Sequence, residues 1–90
     1  MKKKYSEKDF KIEKGYPGDN VAYTFTSKDD EIEANLFWRK GDVEVRGMVG
    51  EKGILHIGYP FANAHGDKSP EPELQRILSS IIKRVNRGEY

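Results

Sequence analysis

The chain contains no cysteine, which excludes disulfide bonds, thiolate nucleophiles and zinc–thiolate sites. Small secreted domains usually depend on disulfides, so this absence favours a reducing compartment, and we expect a cytoplasmic protein. Long apolar runs are missing as well, since no segment approaches the ~18 apolar residues of a membrane span. The positively charged start, Met1 to Lys4, is not followed by the apolar stretch of a signal peptide. We therefore expect a soluble protein with no membrane partner.

A strong charge of one sign is also missing. The 16 basic and 15 acidic side chains leave a formal net charge of +1, so the protein as a whole has no electrostatic attraction for nucleic acid or membrane. The charges are nevertheless unevenly spread. Residues 1–14 hold six lysines against three acids, and residues 74–87 hold four basic side chains and no acid. The sequence predicts two basic ends on either side of an acidic middle.

Neither repeats nor linkers interrupt the 90 residues, and we expect a single domain spanning 1–90. Alternating apolar and polar residues, together with ten aromatic side chains, argue against a disordered chain. Val21 and Tyr23 are expected on the apolar face of a sheet, and Ala22 on its solvated face. The alternation predicts an antiparallel meander of four to five strands at about 8–14, 20–27, 31–40, 43–50 and 54–60, with a turn at 16–19.

A single helix is predicted at the C-terminal end, over about 70–87. Ser69 is its expected N-cap and Gly88 its expected C-terminal stop. Its apolar residues recur at the spacings of three and four that give a helix one buried face, at Leu74, Ile77, Leu78, Ile81, Ile82 and Val85. Packing this stripe on the apolar face of the sheet gives a two-layer α+β fold.

The third and fourth strands should form a hairpin closed by a two-residue turn. Gly41-Asp42 suits a type II′ turn, which takes glycine at its first central position. This turn would pair Trp38 with Val45 on the apolar face. On the solvated face it would pair Arg39 with Glu44 and Phe37 with Arg46. The apolar pattern and the turn chemistry agree in this register.

The fourth and fifth strands should form a second hairpin through residues 50–53. A three-residue loop with Gly53 in the left-handed conformation of a bulge would pair Val49 with Leu55. Apolar positions again meet apolar positions in this register. The fifth strand is expected to stop at Pro60, because proline cannot donate a ladder hydrogen bond.

Side chains suited to catalysis are few. Only His56 and His65 are histidines, and His65 lies with Asn63 and Asp67 in the irregular segment 61–69. A histidine beside an aspartate can act as a general base or a metal ligand, which makes this segment our hypothesis for a small enzyme or ligand binder. The other interpretation is a polar loop whose residues serve turn geometry. No third ligand, serine nucleophile elbow or phosphate-binding glycine loop is recognisable, so we expect no enzyme, catalytic residue, metal or cofactor.

The solvated face of the sheet offers the clearest candidate for binding, because it carries several large side chains: Phe37, Arg39, Arg46, Met48, Ile54 and His56. Aromatic, methionine and arginine side chains are enriched in protein interfaces. Aromatic and cationic side chains on a sheet are also typical of single-strand nucleic-acid binding. A third interpretation is an ordinary exposed sheet on which arginine stems cover one aromatic ring.

We therefore expect a non-catalytic binding or regulatory protein that acts by protein–protein contact. A small inhibitor or adaptor, of the kind found among phage and mobile-element proteins, fits this size and composition. The expected partner is a protein, and the expected binding residues are Phe37, Arg39, Arg46, Met48, His56, Asn63, His65 and Asp67.

The alternative is a module that binds single-stranded nucleic acid. A strand meander followed by one helix is similar in element order to the PC4-like single-strand-binding proteins, which dimerise partly through their helices. This resemblance, which concerns element order alone, implies a homodimer. The side chains themselves suggest that Phe37, Arg39 and Arg46, together with the basic ends, would contact the nucleic acid. An edge strand at 8–14 or 54–60 offers a second way to form a homo-oligomer.

Overall fold

In this computed structural model the described part of the chain forms a five-stranded antiparallel sheet and one C-terminal helix, which confirms the α+β meander. The structure describes residues 4–15, 21–39, 42–58 and 70–90, with only the backbone of Arg39 and Asp42. The strands lie in the order β1-β2-β3-β4-β5. Their bounds are β1 (Phe10–Lys14), β2 (Val21–Ser27), β3 (Ile32–Arg39), β4 (Asp42–Val49) and β5 (Gly53–Gly58), and the helix is α1 (Leu74–Arg87).

The core lies between the helix and one face of the sheet. The predicted apolar stripe of α1 is buried at four positions, while Leu74 and Ile82 pack against the core from its margin. Trp38 likewise packs at the margin, half-buried. The core residues are Phe10, Tyr23, Phe25, Ile32, Ala34, Leu36, Val43, Val45, Leu55, Ile57, Ile77, Leu78, Ile81 and Val85.

The register of β3 against β4 differs from the prediction by two residues. Trp38 pairs with Val43 rather than with Val45, and the last pair joins Arg39 to Asp42. The predicted Gly41-Asp42 turn is wrong in its second residue, because Asp42 already belongs to β4, while Gly41 lies outside the described residues. A shift of two keeps every side chain on its own face, so the apolar alternation fits both registers equally well.

The β4–β5 register is also shifted by two residues. Val49 pairs with Gly53, and Leu55 pairs with Gly47. The left-handed glycine is Gly50, at φ 66°, and not Gly53 as predicted. Gly53 instead allows the Tyr90 ring to pack closely against β5, because a Cβ atom at position 53 would lie 2.5 Å from Cδ1 of Tyr90.

A bulge in β2 reverses the predicted sides of two residues. Tyr23 pairs with Leu36, and Val21 pairs with Phe37, so Ala22 is the extra residue between them. Ala22 packs against the core, and Val21 lies opposite a residue of the solvated face. Strict alternation predicted the opposite arrangement, because it takes no account of an inserted residue.

The helix begins later than the predicted residue 70. Residues Glu71–Glu73 form a 3-10 turn, in which the Glu73 N–H donates to the Pro70 carbonyl at 2.9 Å, and α1 starts at Leu74. The predicted N-cap at Ser69 lies outside the described residues, as do the turn at 16–19 and the stop at Pro60. Gly88 ends the helix as predicted, at φ 73°, and its N–H donates to the Val85 carbonyl at 3.0 Å.

The first described residues are attached to the end of the helix. The Tyr5 N–H donates to Asn86 Oδ1 at 2.8 Å, and Asn86 Nδ2 donates to the Tyr5 carbonyl at 3.1 Å. A 3-10 turn at Glu7–Asp9 follows, so β1 starts at Phe10 and not at the predicted residue 8. Neither the 3-10 turns nor α1, within the described part of the chain, has the length and apolar character needed to cross a membrane.

Candidate binding surface

The face of the sheet opposite α1 is called the outer sheet face below. The observed registers arrange its side chains in three rows that run across the strands. These rows are Val21-Phe37-Glu44-Gly58, Glu13-Thr24-Asn35-Arg46-His56 and Lys11-Thr26-Glu33-Met48-Ile54.

Two large apolar side chains lie side by side at the β5 end of this face. Met48 and Ile54 are directly paired across β4 and β5, and they are 48% and 70% exposed. A single exposed apolar side chain is ordinary on a protein surface. Adjacent exposed apolar side chains on a rigid sheet present a small contact area whose burial by a partner would be favourable.

Glu44 organises the charged part of the outer sheet face. Arg46 Nε lies 2.9 Å from Glu44 Oε1, and His56 Nε2 lies 3.1 Å from Glu44 Oε2. The Glu44 side chain is only 14% exposed, whereas both partners are more than half exposed. The carboxylate therefore fixes the two exposed side chains in place and offsets part of the arginine charge.

Arg46 also covers the ring of Phe37. Its guanidinium carbon lies 5.8 Å from the ring centroid, within the range of a cation–π contact. Phe37 is half-buried and pairs with Glu44, while Arg46 pairs with Asn35, so the arginine reaches the ring diagonally. One face of the ring is thereby occupied, which leaves less aromatic surface for a base to stack on.

A shallow cavity of about 370 Å³ opens on the β4–β5 side of the sheet. It is lined by Arg46, Gly47, Ile54, Leu55 and His56. The cavity connects the exposed Ile54 side chain with the fixed Arg46 and His56 pair. A partner side chain placed there would contact apolar and cationic groups together.

The structure thus brings together four of the predicted binding residues, Phe37, Arg46, Met48 and His56, on neighbouring strands. Arg39 ends β3 on the same sheet, with only its backbone described. The predicted loop residues Asn63, His65 and Asp67 lie outside the described residues.

Sequence reasoning missed the role of Glu44. The predicted register placed Glu44 opposite Arg39, whereas the observed register places it opposite Phe37 and Gly58 and diagonal to Arg46 and His56. An acid two residues from an arginine on the same strand face was the available signal.

Two tyrosines have raised pKa values for structural reasons. Burial, assisted by a hydrogen bond to Asp29 at 2.9 Å, raises the pKa of Tyr5 to about 12. Burial raises the pKa of Tyr23, and the nearby Glu71 carboxylate adds to this effect. Both phenols therefore remain protonated hydrogen-bond donors at neutral pH. No group of three or more histidine or acidic side chains among the described residues is arranged to hold a metal ion.

Comparison of the chain with protein-family models, with curated proteins and with solved structures finds no match.

Proposed function

We propose that this is a non-catalytic, cytoplasmic binding protein that regulates a partner protein through contact with the outer sheet face. A small inhibitor or adaptor is the kind of protein that fits. The observation that carries this proposal is the directly paired Met48 and Ile54, exposed beside the fixed Arg46 and His56. This combination of methionine, aliphatic and arginine side chains resembles the composition of protein interfaces.

The charges of the outer sheet face favour a protein over nucleic acid. The three rows of this face contain three glutamates, Glu13, Glu33 and Glu44. The described lysine and arginine side chains there are only Lys11 and Arg46. A phosphate backbone crossing this face would meet more carboxylates than cations and would be repelled. A protein partner can bring its own apolar and polar groups to match.

The test compares capture of proteins from a native-host lysate by the wild-type protein and by Met48→Ser/Ile54→Ser. Both side chains are substantially exposed, so we expect the double variant to keep its melting temperature and to lose a stoichiometric, nuclease-resistant partner. Ile12→Ser is the matched control, because Ile12 is an exposed apolar residue on the other face of β1. Undiminished capture by the double variant would contradict the proposal.

Single-stranded nucleic acid remains the second candidate, because an aromatic and an arginine side chain, Phe37 and Arg46, lie together on the outer sheet face, as in single-strand-binding sheets. Its test is a titration with a mixed-sequence oligodeoxynucleotide at several salt concentrations. Binding that falls steeply as salt rises, through release of counterions, would support this second candidate. We expect no such binding.

A further inference from the structure

The two edges of the sheet have different chemistry. β1 carries Lys11 and Glu13 on the outer sheet face and Lys14 on the helix side, so charges flank its edge on both faces. Such charges discourage the addition of another strand. β5 has the sequence Gly-Ile-Leu-His-Ile-Gly, with no lysine, acid or proline. It pairs with β4 on one side, and no other described strand pairs with it.

The helix side of β5 adjoins a cleft of about 210 Å³ that we call the basic cleft. It is lined by Ile57, Ser80, Lys83, Arg84, Arg87 and Glu89. Its one acid, Glu89, lies 3.9 Å from Arg87. Lys83 and Arg84 are exposed and make no ion pair with another described residue. The cleft therefore has an excess of positive charge directly beside the edge strand.

The outer side of β5 adjoins the shallow cavity that Ile54 and His56 help to line. The edge strand thus lies between an apolar surface on one face and a cationic cleft on the other. Side chains of a strand alternate between the two faces of a sheet. A strand added at this edge would place every second side chain against Ile54 and the intervening ones toward Lys83 and Arg84.

We propose that β5 accepts an extended segment of the partner protein whose residues alternate between acidic and apolar. This inference rests on the proposed function and names the chemistry of the partner. Backbone hydrogen bonds along the edge supply affinity in such strand addition, and the alternating side chains supply specificity. The acidic side chains enter the basic cleft, and the apolar ones cover Ile54.

A second copy of this chain is a poorer occupant of the same edge. Antiparallel pairing of two β5 strands across a two-fold axis places both helices on one side of the joined sheet. The two basic clefts then meet across the seam, and six cations face two carboxylates from Glu89. Like charges placed together in this way oppose association, whereas an acidic segment neutralises them.

The test uses a blocked hexapeptide of alternating Glu and Val, which matches the length of β5, titrated into isotopically labelled protein and followed by NMR. We expect shifts and slower hydrogen exchange for the β5 amides, together with shifts at Lys83 and Arg84. A peptide with Lys in place of Glu should bind at least about tenfold more weakly, a difference of ~1.4 kcal/mol. The Glu–Val peptide with alternate backbone amides methylated should not bind, because it cannot pair as a strand.

Lys83→Ala/Arg84→Ala is the informative variant, and Lys8→Ala/Lys11→Ala, near the β1 edge, is its matched control. The first should weaken binding of the Glu–Val peptide by about tenfold, and the second should leave it unchanged. Equal binding of the lysine peptide, shifts confined to the helix, absence of binding, or dimerisation through β5 would each overturn the inference. After any of these outcomes, loss of lysate capture in Met48→Ser/Ile54→Ser would still support the proposed function. The proposed function and the β5 inference can therefore fail separately.

Discussion

Tyr5 shows how one residue can join three parts of the chain through its backbone and its side chain. Its backbone exchanges two hydrogen bonds with Asn86, and its hydroxyl donates to Asp29 at the turn between β2 and β3. Asp29 also accepts from the buried Ser27 hydroxyl at 2.6 Å, and Ser27 Oγ accepts from the Ile32 N–H at 2.9 Å. No local sequence pattern predicts this network, because its members are up to 81 positions apart.

The raised pKa of Tyr5 leads to a prediction about alkaline stability. A phenol with a folded pKa of about 12 and an unfolded pKa of about 10 stabilises the fold fully below pH ~10 and loses this contribution as the pH rises towards 12. Tyr5→Phe should cost about 0.5–1.5 kcal/mol at pH 7 through loss of its hydrogen bond. The difference in the free energy of unfolding between wild type and Tyr5→Phe should shrink above pH ~10, as measured by urea unfolding at a series of pH values. A difference that stays constant to high pH would contradict this explanation.

At the scale of the element, the sequence could predict the faces of most strand residues, except at the β2 bulge, but not the hairpin registers. The alternation placed Tyr23 and Val45 on the buried face correctly, and the helical spacing placed Ile77 and Ile81 correctly. Both hairpin registers were wrong by two residues, since such a slip leaves every side chain on its face. The candidate site was affected in the same way, because the position of Glu44 depends on the register.

Gly47 is the residue through which the observed register can be tested. It lies between Ala34 and Leu55, and a Cβ atom there would overlap the Glu33 carbonyl and lie 2.7 Å from Cα of Ala34. Gly47→Ala should therefore destabilise the fold by about 1–3 kcal/mol, as overpacking does. The control is Gly58→Ala on β5, where the nearest atom to a Cβ is His56 Cε1 at 3.7 Å, an ordinary contact. Equal unfolding free energies for the two variants in urea titrations would contradict the register.

At the scale of the whole molecule, one helix closes the core of the entire sheet. Leu78 is 2% exposed, and α1 has buried residues along most of its length. No second described helix shares the inner face, so stability depends on this single layer contact. The two-layer arrangement followed from the sequence, because an apolar helical stripe and an apolar sheet face have one simple way to be buried together.

Leu78→Asp should leave the protein largely unfolded, because it places a carboxylate in the layer contact without a partner. Circular dichroism should show loss of the cooperative melting transition. Ser79→Asp, at the neighbouring half-buried position, is the matched control and should retain that transition. An unchanged melting temperature in Leu78→Asp would refute the packing of α1 on the sheet.

The β1 edge carries lysine and glutamate side chains, whereas the β5 edge carries no lysine, arginine or acid, and this contrast bears on the size of the proposed assembly. Head-to-tail growth requires each subunit to offer two compatible edges, and a charged edge on one side interrupts such a chain of additions. In the complex proposed above, strand addition at β5 would end after one event and give one partner segment for each subunit. The proposed complex therefore has a defined size, whereas a subunit with two uncharged edges could extend into a fibre.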